Sequence, residues 1–132
     1  MAMIKRMLIG LMAAAALVSC QESMEERAAR DAHEITTKKC PMPIGNEGTV
    51  ILERVEFDIP TQTWKEDLLL DFVGDKSQID LSEIKSVLIS ELKNTPSYKP
   101  YRDHGFKFHY VYCRMSDPKD TLINITLSKA DY

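Results

Sequence analysis

Covalent chemistry in this chain has to come from few side chains, because it holds three cysteines and three histidines. A cysteine nucleophile needs a thiolate, stabilised by a nearby histidine or a helix N-terminus. Cys113 and His109 share the parity of one strand-like segment, so they project to one face about 13 Å apart at strand rise, too far for direct activation. A thiol enzyme built on Cys113, or on Cys40 with His104 or His33, is therefore the weakest of the functional classes the residues allow. His33, His104, His109 and Asp103 show no HxH, HExxH or CxxC spacing, so no metal and no cofactor is expected, and Asp103-His104 reads as a polar loop. Glu53, Glu56, Glu66 and Asp67 read as solvated strand positions rather than a glycosidase pair, which needs two acids at a fixed separation in a cleft. Asn124-Ile125-Thr126 matches a glycosylation sequon by chance. The tract Tyr98-Lys99-Pro100-Tyr101-Arg102, running on to His104, places aromatic rings beside cations. It is a candidate binding loop through Tyr98, Tyr101, Arg102 and His104, unless both tyrosines cover the end of the core.

The third cysteine belongs to different chemistry. Lys5 and Arg6 precede an apolar run from Met7 to Val18, the charged and hydrophobic regions of an export signal. That run is well short of the roughly 20 residues a membrane-spanning helix needs. Leu17-Val18-Ser19-Cys20 follows at once and resembles a lipobox, in which a peptidase cuts before a cysteine that carries diacylglycerol. Residues 1–19 are thus expected to be a lipoprotein signal peptide and Cys20 the site of lipidation, since several acyl chains hold a protein on a membrane where one does not. The acidic stretch Gln21-Glu22-Ser23-Met24-Glu25-Glu26 resembles the signal that sends Bacteroidota-type lipoproteins to the outer face of the outer membrane. The expected location is the outer membrane, on its periplasmic or its exposed side.

The net charge is −3, and losing Lys5 and Arg6 makes it more negative, so nucleic acid is not an expected partner. Cys40 and Cys113 would lie in a compartment that permits disulfides. Joined, they would close a long loop and add roughly 4 kcal/mol; otherwise they are two unpaired thiols, one of them buried as a small hydrophobe.

The elements that must position these residues follow from periodicity. Residues 20–39 are charged and Ala-rich, and form either an acidic tether or a weak N-terminal helix. Cys40-Pro41-Met42-Pro43 cannot be helix interior, and a single domain is expected over residues 40–132. Thr49 to Asp58 and Thr63 to Val73 read as strands joined at Ile59-Pro60-Thr61-Gln62, with Trp64, Leu68, Leu70 and Phe72 on one side. Asp80 with Glu83 marks a helix start, Leu81, Ile84, Val87, Leu88 and Leu92 follow at helical spacing, and Pro96 stops the helix near Asn94. Phe106, Phe108, Tyr110 and Tyr112 make the aromatic face of a third strand. Asp117-Pro118-Lys119-Asp120 turns the chain into a fourth, Thr121 to Ser128. The expected fold is α+β: a four-stranded antiparallel sheet of two hairpins, with one helix between the hairpins packed on one face.

Cys40-Pro41-Met42-Pro43-Ile44, then Thr49-Val50-Ile51-Leu52, then Phe106-Lys107-Phe108-His109-Tyr110-Val111-Tyr112 together resemble small uncharacterised lipoproteins of Bacteroidota-type gut bacteria. The resemblance covers roughly residues 38 to 128. It implies the fold and the envelope location and transfers no catalytic residue.

These readings point to a membrane-anchored, non-catalytic binding or accessory domain at the cell envelope, attached through lipid on Cys20 and recognising an envelope protein or a glycan. An enzyme inhibitor presenting its proline-stiffened segments, Pro41 to Pro43 and Pro96 to Pro100, is the first alternative, and the thiol enzyme the second.

Overall fold

The structure, a computed structural model, describes residues 22–45 and 47–132, so the expected signal peptide and Cys20 lie outside the described residues. Helix α1 spans Met24–Lys38. Ser23 caps it by accepting from the Glu26 N–H at 3.0 Å, and Glu25 and Glu26 in the first turn with Lys38 in the last complement its dipole. Of the two expectations for this segment, an acidic tether or a weak helix, the helix forms, and it packs on the domain because Ala28 and Ala32 are buried and their small side chains let α1 lie close to the sheet. The boundary expected at residue 40 therefore falls earlier.

Strands β1 (Met42–Ile44), β2 (Val50–Asp58) and β3 (Thr63–Leu70) form an antiparallel meander. Pro43 is tolerated because β1 is an edge strand. Helix α2 (Leu81–Asn94) follows, capped by the Asp80 carboxylate, which accepts from the Ser82 and Glu83 N–H groups. The segment expected as a loop after it is helical: a 3₁₀ turn over Pro96–Tyr98 runs into the short helix α3 (Lys99–Asp103). Strands β4 (Lys107–Arg114) and β5 (Asp117–Leu127) close the chain through a turn at Met115 and Ser116, so the expected turn residues Asp117 to Asp120 already belong to β5.

The sheet has five strands in chain order, not four, and it is mixed. β3 and β4 run parallel, with Thr63 opposite Lys107 and Leu70 opposite Arg114, and every other pair is antiparallel. Parallel neighbours need a long crossover, and α2 with α3 provides it by carrying the chain back over one face of the sheet. Two hairpins set side by side can meet in either sense, and no local residue specifies which.

Three cross-strand rows build the core face: Phe57–Trp64–Phe108–Leu127, Val55–Glu66–Tyr110–Ile125 and Leu52–Leu68–Tyr112–Ile123. A bulge between Leu52 and Arg54 takes up the extra residue that would otherwise send Leu52 and Val55 to opposite faces. Trp64, Phe106, Phe108, Leu92 and Leu127 are the largest fully buried side chains. Tyr101 stacks between Trp64 and Phe106 at 5.2 and 5.9 Å, so α3 plugs one end of this core.

The opposite face carries Arg54, Glu56, Lys65, Asp67, His109, Asn124 and Thr126 in register. Its charges pair along and across strands, Arg54 with Glu56 at 3.1 Å and with Asp67 at 3.0 Å. Exposed pairs of this kind contribute little to stability, and they keep the face wet.

Candidate functional site

The sequence-predicted residues do not converge. Cys40 and Cys113 are free thiols, so the disulfide that the sequence allowed is not formed. Cys40 packs against the core beyond the end of α1, and burial, with the Glu66 charge second, pushes its thiol pKa up. That opposes the thiolate an enzyme would need. Cys113 lies on the other face, 3.8 Å from the Thr121 hydroxyl, while His109 Nε2 sits 2.6 Å from Asn124 Oδ1. No group of three His, Cys, Asp or Glu side chains suited to a metal occurs among the described residues.

The candidate binding loop is a clamp. The Tyr101 hydroxyl donates to Asp31 of α1, and Arg102 Nη1 donates to the carbonyls of Leu92 and Thr95, satisfying the end of α2. Tyr98 meets Trp64 and Phe108 edge-on, and His104 reaches Glu25 of α1 at 3.2 Å. Both tyrosines cover the end of the core, the alternative left open by the sequence. A cavity of about 260 Å³ lies where this clamp meets α1, with Trp64, Tyr98 and Tyr101 at its base and Asp31, Glu34, Lys38 and Lys39 at its mouth. Its rings are already stacked on one another, so it is a seam rather than a platform for a sugar. Pro43 lies within β1, Pro96 opens the 3₁₀ turn and Pro100 lies in α3, so the inhibitor reading loses its stiff exposed loops.

An unexpected feature lies on the apolar face of α2. The sequence places Leu81, Ile84, Val87, Leu88 and Leu92 in the core, yet only Leu88 and Leu92 are buried, while Leu81 is 52% and Val87 50% exposed. Helix α2 touches the sheet mainly at β5 and stands off the middle strands. The gap is a groove of about 270 Å³ walled by Ile84, Val87 and Leu88 of α2 and floored by Leu70, Tyr112 and Ile123 of the sheet. Glu83 and Glu91 stand at its rim.

One row along from that floor, Glu66 occupies the core face between Val55 and Tyr110, only 8% exposed. Burial pushes its pKa up to about 7, and the charge of Glu91 adds to the rise; the Trp64 indole and the Tyr98 hydroxyl pull it down. Neither donor closes a hydrogen bond of ordinary geometry with it, and Trp64 Nε1 is left buried without a partner. Burial raises Tyr98 and Tyr110 well above the usual phenol range and Tyr112 to about 12, with the Glu66 charge the second cause in each. Among the described residues no ion pair reaches Glu66, Glu83 or Glu91. The sequence did carry the signal for Glu66: it shares the even parity of Trp64, Leu68 and Leu70, and a period-2 reading places it inside with them.

The chain belongs to the family described as Domain of unknown function (DUF8479), whose profile matches residues 23–123. No curated protein sequence matches it significantly. Its fold is similar to that of the pilotin EpsS from the Vibrio vulnificus type 2 secretion system, at 14% identity and a TM-score of 0.59, over 81% of this chain and 89% of that one. It is also similar to the type II secretion system pilotin AspS from Vibrio cholerae, at 13% identity and a TM-score of 0.60, over 89% and 99%. A secreted protein from Pseudomonas aeruginosa matches with 8% identity and a TM-score of 0.64, over 83% and 97%. At these identities the likeness establishes the fold.

Proposed function

We propose that this chain is a non-catalytic accessory lipoprotein of the bacterial envelope that holds an apolar segment of a partner protein in the groove between α2 and the sheet. The observation that carries this reading is Val87: the best-patterned helix in the chain turns it to the groove and leaves it half exposed. Covering the exposed half of that side chain on a partner is worth about 1 kcal/mol. An inserted helix or strand read through spaced apolar anchors is a recurrent way to use such a groove. The lipobox ending at Cys20 and the pilotin-like fold support an envelope setting, because two of the similar structures belong to type II secretion systems.

A photo-crosslinking residue placed at position 87 of the full chain, expressed in its own envelope, tests the reading. A discrete adduct with one envelope protein is expected, absent when the crosslinker sits at Thr126 on the opposite face. Equal yields from both positions, or no adduct at position 87, would overturn it. Mass spectrometry of the N-terminal peptide should find acyl groups on Cys20, and an uncleaved leader would remove the membrane setting.

A further inference from the structure

We infer that Glu66, one core row beyond the groove floor, acts with Glu91 at the groove rim as an anionic anchor that takes the ammonium or guanidinium of a lysine or arginine carried on the partner's apolar segment. The inference rests on the groove reading above and specifies the partner's chemistry. Among the described residues Glu66 makes no ion pair and closes no hydrogen bond of ordinary geometry, although it stands in a core row between Val55 and Tyr110. A carboxylate withdrawn from water without a partner is costly, and an arriving cation is the compensation that the surroundings leave open.

The geometry favours a cation on a long stem. Glu66 is two residues along β3 from Leu68, whose row includes Tyr112 and Ile123 of the groove floor, so it lies roughly 7 Å past that floor. Lysine and arginine lay their methylene stems along apolar surface and carry the charge at the tip. Tyr112 and the valine, isoleucine and leucine of α2 suit the stem, while Glu66 and Glu91 suit the tip. The unpartnered Trp64 N–H, in a residue only 2% exposed, turns toward the same carboxylate. It completes the solvation of an ionised Glu66 once a cation holds it in that form. Glu83 at the outer rim extends the negative potential toward the entrance and is free to meet a second basic residue.

The test uses two synthetic amphipathic peptides of one apolar pattern, leucine at i, i+3, i+4 and i+7, with lysine or norleucine at the centre of the apolar face. Binding to the full chain at pH 8 is followed by fluorescence of Trp64, the one tryptophan. The lysine peptide should bind about tenfold more tightly, the scale of one hydrogen-bonded charge. The preference should vanish in Glu66→Gln and shrink in Glu91→Gln, an exposed position that folding tolerates. Equal binding of the two peptides to the native chain, or a preference that survives both substitutions, would overturn the anchor and leave the groove standing. Failure of both peptides to bind would overturn the groove and the anchor together.

Discussion

The hydroxyl of Thr36 accepts from the Val55 N–H at 2.9 Å and donates to the Val55 carbonyl at 2.7 Å. β1 pairs only with residues 50–52 of β2, so beyond the bulge the outer edge of β2 would lie bare. One side chain of α1 thus closes a sheet edge that would otherwise template association. Replacing Thr36 with valine keeps the shape and removes both bonds, and should cost about 1 to 3 kcal/mol in urea unfolding. Thr36→Ser should recover most of that.

Glu66 makes stability depend on pH in an unusual sense. Its folded pKa of about 7 lies above the ordinary 4.5, so between those values the folded chain keeps a proton that the unfolded chain has lost. Stability is then fully present below about pH 4.5 and falls as pH rises toward 7, by about 3 kcal/mol in all. Glu66→Gln should abolish this slope: denaturation curves of the two proteins should agree near pH 4 and separate by pH 8, with the variant the more stable.

Arg114 ties the chain after β3 to the sheet. Its Nη1 and Nη2 donate to the carbonyls of Phe72 and Gly74 at 2.8 and 3.0 Å, its Nε to Asp120 at 2.9 Å, and the guanidinium lies 5.7 Å from the Phe72 ring centre. Lysine keeps the charge and loses the planar fork. Arg114→Lys should cost about 1 to 2 kcal/mol and speed amide exchange at residues 73–75 while sparing α1.

The two thiols should titrate without prior reduction. Burial raises the Cys40 pKa, so at pH 8 this thiol should react with a disulfide reagent more slowly than glutathione does, and reach full reactivity only on unfolding.

Much of the fold was legible because it is local. The Asp80 cap, the 3.6-residue spacing from Leu81 and the stop before Pro96 placed α2 to the residue, and period 2 placed the core face of β3, β4 and β5. What escaped was set by packing. The parallel join of β3 to β4 is decided by where α2 lands, and the fate of Leu81 and Val87 by how far α2 stands from the middle strands. Glu66 was missed for another reason: a glutamate is expected in water, and that habit overrode the parity that put it inside. Tyr98 and Tyr101 looked like a binding surface because sequence shows that rings and cations are near, but not which way they turn.

The pairing of Thr63 with Lys107 imposes an order of assembly. A chain emerging from its N-terminus can zip β2 onto β3 at once, but the central seam must wait until the crossover and β4 have both arrived. Until then β3 presents the backbone N–H and C=O groups of its second edge unpaired, a strip on which another strand could add.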